Sequence, residues 1–183
     1  MRLDKLTVKA QEAIMAAQGA ASERGHAHFG PLHLLHALLV QEGGLVPSIL
    51  EKIGIPADRI TSVVDSELDR LPSQSGGGGM GMDAQLNPVL GRAEKEARDL
   101  QDEYVSVEHL LLGLAAEPSG AQDALTTLGA DRDHILSAMK DIRGNQRVTD
   151  PSPEEKYQAL ERYGRDLCEL ARDGKLDPVI GRD

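Results

Sequence analysis

Displaced by 76 positions, the chain matches itself. Ile14, Ala17, Ala21, His33, Leu34, Leu35 and Leu38 fall on Leu90, Ala93, Ala97, His109, Leu110, Leu111 and Leu114. With one residue dropped, Leu50, Ile53, Gly54, Asp58 and Ile60 fall on Leu125, Leu128, Gly129, Asp133 and Ile135. Alanine and leucine coincide often by chance in helical sequences, but a histidine and a glycine held in the same register do not. A duplicated unit constrains the fold more than any other feature, because each copy must bury its apolar face against the other.

Each copy reads as four helices. Aromatics make up only 2% of the chain and Trp is absent, while the helix formers Ala and Leu are plentiful. In the first copy Thr7 is a predicted N-cap, and Leu6, Ala10, Ala13, Ala17 and Ala21 form a stripe at helical spacing that stops at Gly25. Pro31 opens a second helix whose leucines (32, 34, 35, 38 and 39) surround it, which requires burial. A third runs to Ile53 and stops at Gly54; Pro56 opens a fourth that ends near Leu71. In the second copy Asn87-Pro88 starts the first helix and Ser106 caps the next. Gly129 stops the third, and Asp131 caps a fourth ended by Gly144.

The expected fold is therefore all-α. Two pseudo-symmetric four-helix repeats, 1–72 and 84–143, pack as one globular domain of residues 1–143, joined by a Gly- and Ser-rich flexible loop over 73–83. Residues 144–152 are polar and read as a flexible linker. Ser152-Pro153-Glu154-Glu155 starts a ninth helix with apolar positions at Tyr157, Leu160, Leu167 and Ala171, and the stretch after Gly174 reads as the truncated start of a further domain, 153–183.

A formal net charge of −10 argues against a nucleic-acid partner, since phosphates need a basic face. No apolar run reaches the ~20 residues of a membrane span. No apolar segment follows Met1, so no secretory signal is expected, and with Cys168 as the single cysteine the expected compartment is the cytoplasm and the expected state of the chain a monomer.

The stretch YQALERYGRDLCELARDGKLDPVIGRD, from Tyr157 to Asp183, resembles the entry into the first nucleotide-binding domain of ClpB-type protein disaggregases. GPLHLLHALL and SVEHLLLGLA resemble the paired motifs of the Clp amino-terminal domain. The resemblance implies a full-length protein that uses ATP and Mg to thread aggregated polypeptides through a homo-hexameric ring, with the DnaK chaperone system as partner. In that protein Val179 and Ile180 would border the adenine pocket. The chain has no G-x-x-x-x-G-K-[ST] phosphate loop, so it is not expected to be an enzyme, nor to hold a cofactor by itself.

The resemblance also implies substrate handling at Thr7, Asp102 and Glu108. Each has a structural reading beside it: Thr7 caps a helix, Asp102 sits in a solvated loop, and Glu108 lies in a first turn that favours negative charge. The family's apolar groove near the repeat junction maps onto Leu86, Val89, Leu90 and Leu110, which are also readable as core, Leu110 above all; Arg92 and Glu96 stand where related chains often carry Leu. His33 and His36 lie one helical turn apart, but no cysteine lies near, so a packing or capping role shared with His109 is expected rather than a metal site. No G-x-S-x-G elbow occurs, and acidic neighbours disfavour a reactive Cys168 thiolate. The expected function is recognition of exposed apolar stretches of unfolded or aggregated polypeptides for the ring. The alternative is an adaptor-docking domain of the ClpC or ClpA type.

Overall fold

The computed structural model describes residues 3–74 and 80–153. Part of the predicted loop, the ninth helix with Cys168, and Val179 and Ile180 lie outside the described residues.

Thr7 starts α1 (Val8–Glu23) as predicted, its Oγ1 accepting the Ala10 N–H at 3.2 Å. Ala10, Ala13, Ala17 and Ala21 are fully buried, and their small side chains let α2 (Pro31–Val40) lie close. Of α2, only Val40 emerges fully into solvent. α3 (Val46–Ile53) and α4 (Ala57–Asp69) complete the first repeat. The second repeats the plan with α5 (Leu86–Asp99), α6 (Val107–Ala116), α7 (Gly120–Thr127) and α8 (Arg132–Arg143). Gly54 and Gly129 stop α3 and α7 in the left-handed region, at φ 92° and 90°, where a side chain would be strained.

The start of α5 differs from the sequence expectation. The helix begins at Leu86 because Asp83 builds the preceding turn: its Oδ1 accepts the Gln85 N–H at 2.8 Å and its carbonyl the Leu86 N–H at 3.0 Å. Pro88 then falls inside the first turn, where its missing N–H costs nothing.

The repeats share one core. α2 meets α6 and α7 at the centre, α3 packs on α8, and α4 packs on α7. Two short parallel pairings tie the halves in a crossed manner. β1 (His28–Phe29) pairs with β2 (Gly81–Met82), and Leu6 bridges Val105. The repeat shift carries Leu6 onto Met82 and Phe29 onto Val105, so both pairings are one contact with the roles exchanged. The segment leading into each repeat is thus paired with the inter-helix loop of the other. This small extended element is an addition to the all-α plan.

The segment after α8 is a second difference. Instead of a flexible tether, residues 145–151 run back along the domain, with Val148 fully buried. The reason is local: α8 ends beside a buried carboxylate that accepts a strap amide.

Candidate functional site

The repeated histidine works as a helix cap. His33 Nδ1 accepts the Gly30 N–H at 3.1 Å, and His109 Nδ1 accepts the Ser106 N–H at 3.0 Å. In each repeat the third helical residue thus satisfies the N-cap amide, a task usually given to Glu or Gln. With Nδ1 accepting, the ring proton sits on Nε2 and points at the residue seven positions back. That residue is His26 in the first repeat, at 2.8 Å from its Nδ1, and Asp102 in the second, at 2.9 Å from its Oδ2. Burial, then the neighbouring His26, lower the His33 pKa to about 4, so the pair stays neutral. His36, one turn away, turns instead to Asp65 at 3.3 Å. Among the described residues no three His, Cys, Asp or Glu side chains gather as a metal-ligating group.

Asp102 is not in a solvated loop. Its side chain is fully buried, and its oxygens accept from three donors: His109 Nε2, the Val148 N–H at 2.9 Å, and Arg143 Nη2 at 2.5 Å. Burial pushes this carboxyl up, but the hydrogen bonds from His109, Arg143 and Val148 outweigh it and hold it at about 2. The charge is worth burying because Arg143, itself only 6% exposed, carries the opposite one. Sequence reasoning found Asp102 but missed Arg143, which lies 41 residues further on. The one signal available was the match of Asp102 with His26 under the repeat shift.

Thr7 and Glu108 are also buried. The Thr7 N–H donates to the Val105 carbonyl at 3.0 Å, so it joins the crossed pairing as well as capping α1. Glu108 sits 3.8 Å from Arg143 Nη1, and among the described residues neither of its carboxylate oxygens has a hydrogen-bond partner. The side chains of these three polar residues are therefore buried and do not form a surface. Leu86, Val89 and Leu110 are fully buried core residues because the close packing of α5 on α6 covers them. Leu90 alone of the four proposed groove residues is partly exposed. On α5, Glu96 is buried between two guanidiniums, 2.8 Å from Arg92 Nε and 2.7 and 2.8 Å from Arg132 Nε and Nη2. Burial raises its pKa, but Arg132 and Arg92 lower it further, so the net shift is downward.

A cleft of about 540 Å³ lies between α5, the 102–105 segment and Lys5. Ala97, Tyr104 and Val105 supply apolar lining, and Lys5, Arg98, Glu94 and Glu103 a rim of both charges. Asp102 reaches it only with its backbone, since its side chain is inaccessible.

The profile of the Clp repeat (R) N-terminal domain matches residues 5–128. The chain belongs to that family. It is 47% identical over 182 residues to the chaperone protein ClpB of Rhodopirellula baltica, covering 100% of this chain and 21% of the relative. It thus spans about a fifth of the length of the ClpB proteins it matches. Among solved structures, the Hsp104 N-terminal domain from Candida albicans superposes with a TM-score of 0.73 at 23% identity, covering 82% of this chain and 99% of that one. The N-terminal domain of ClpD from Arabidopsis thaliana gives 0.58 at 24% identity, covering 79% and 98%. At those identities the fold is what is shared. A repeat domain accounts for the duplicated four-helix plan.

Proposed function

We propose that this Clp amino-terminal domain captures exposed apolar segments of unfolded or aggregated polypeptides and presents them to an ATP-driven hexameric ring of the ClpB type. The cleft beside α5 carries the reading. Its apolar floor gives affinity for any extended apolar chain, and its mixed-charge rim tolerates either sign at the flanks, so binding is weak and unselective enough for release to the ring. Thr7, Asp102 and Glu108 act in this reading by fixing the cleft wall from behind. ATP and Mg chemistry, partnership with the DnaK system and the hexamer belong to the whole cytoplasmic protein, and the domain itself hydrolyses nothing.

The test is titration of the chain with a permanently unfolded model protein and, separately, with a folded adaptor of the ClpC/ClpA type. The unfolded protein is expected to bind, and Tyr104→Ala to weaken it severalfold without changing the melting temperature. Preference for the folded adaptor, with Tyr104→Ala silent toward unfolded protein, would establish adaptor docking instead.

A further inference from the structure

Residues 145–151 are held to the domain by several hydrogen bonds, among them one from the Arg147 guanidinium to Gln101 Oε1. The Gln146 carbonyl accepts from Arg143 Nε at 2.7 Å, and the Val148 N–H donates to Asp102 Oδ1 at 2.9 Å. The Val148 carbonyl accepts the Glu103 N–H at 2.9 Å, and the Pro151 carbonyl accepts the Val8 N–H at 2.8 Å. Val8 is the first residue of α1, whose N–H has no partner within the helix, so the strap completes that helix start. Val148 is buried yet lies outside the contiguous apolar core, seated as a separate anchor.

Among the described residues, the first repeat shows the same architecture without this device. The chain leaving α4 makes, among the described residues, one backbone bond to the equivalent loop, Gln74 N–H to the Gly25 carbonyl at 2.8 Å. There the residue facing the capping histidine is His26, which offers no carboxylate to receive a strap amide. The carboxylate, its arginine and the docked strap occur together in the second repeat, at the point where the chain exits.

We propose that residues 145–151 form a latch, fastened by Asp102 and seated by Val148, that sets the length of the tether between this domain and the ring. Docked, the strap contributes nothing to reach. Released, seven residues add up to about 25 Å of extended chain. The domain then has a short-tethered state suited to delivery and a long-tethered state suited to search. The inference rests on the reading that a ring follows, but the latch itself does not depend on polypeptide capture.

Trypsin tests it on the full chain. The Arg147–Val148 bond is cut only while the strap is open, so cleavage is expected at least about tenfold slower than in an unstructured peptide of residues 144–153. Val148→Ser, and Val148→Asp beside the buried Asp102 carboxylate, should restore rapid cutting and remove hydrogen-exchange protection of the Glu103 amide. Amides in α2 and α6 should stay protected, which separates unlatching from unfolding. Wild-type cleavage at the peptide rate would overturn the latch. So would Val148 variants that leave both cleavage and the Glu103 amide unchanged. Binding of unfolded protein, measured on the same variants, reports on capture separately.

Discussion

Asp102 stands in the second repeat where His26 stands in the first, and each meets the capping histidine seven residues on, at 2.9 and 2.8 Å. One cap is therefore wired to a charge and the other to a neutral ring. The difference makes the two halves respond differently to mutation and to acid.

Asp102→Ala is expected to cost ~3–5 kcal/mol of stability, because it removes the carboxylate hydrogen-bonded to the buried Arg143 and leaves the Val148 amide without its acceptor in a buried site. Urea unfolding measures it. An exposed loop residue would have cost less than about 0.5 kcal/mol, so a near-neutral result would contradict the buried network. Glu108→Gln should cost far less than Asp102→Ala, since that carboxylate lies 3.8 Å from Arg143 Nη1 and its oxygens accept no hydrogen bond among the described residues.

Stability should fall with acid in two separate windows. The folded His33 pKa of about 4 lies below its ordinary 6.5, so the unfolded chain takes the proton first. Its contribution is complete above pH 6.5 and is lost as pH falls to 4, on the order of a few kcal/mol. His26, also lowered by burial and then by Arg24, acts in the same direction. Asp102, held at about 2 against an ordinary 3.8, contributes fully above pH 3.8 and loses that contribution as pH falls through 2. His33→Gln keeps a capping side chain and should flatten only the upper window in urea titrations at stepped pH. An unchanged slope there would exclude His33 as its source.

Thr7→Ala should lower stability by ~1 kcal/mol through loss of the α1 cap. Unfolded-protein binding by the folded variant should remain, because the side chain is fully buried. Thermal melting beside a binding titration gives both readouts, and lost binding with intact melting would return Thr7 to the contact surface.

At Gly113 an added Cβ would lie 2.5 Å from the Val89 carbonyl oxygen, so Gly113→Ala must push α5 from α6 at a cost of ~1–3 kcal/mol. The opposite sign is expected at Gln101, whose φ of 58° matches the 69° of its repeat counterpart Gly25. Gln101→Gly should stabilise by up to about 1 kcal/mol, as the left-handed strain is relieved. Paired chemical melts of the two variants, moving in opposite directions, check both.

Helix ends were readable from the residues because caps are local. Thr7, Pro31, Gly54, Ser106, Gly129 and Asp131 act within four residues of themselves, and each marks the boundary its type implied. Asp83 starts the turn before α5, but in the sequence the more conspicuous Asn87-Pro88 that follows hides that signal. The site was legible only in its members. Asp102 looked solvated because its loop is polar and its partners, Arg143 and Val148, lie more than 40 residues away. Leu86, Val89 and Leu110 carry the same apolar character whether they floor a groove or fill a core, and only the packing of α5 on α6 decides for the core.

The crossed pairing has a consequence for synthesis on the ribosome. Leu6 finds its strand partner only when Val105 has been made, 99 residues later (105 − 6). At translation rates of about 5–20 residues per second, that wait lasts about 5–20 s. Through it, the nascent first repeat exposes leucines such as Leu34, Leu35 and Leu38, which finish in the core shared by both repeats. A chain whose relatives are named as chaperones thus emerges as an unfinished polypeptide with exposed apolar surface, and closes only when its own duplicate arrives.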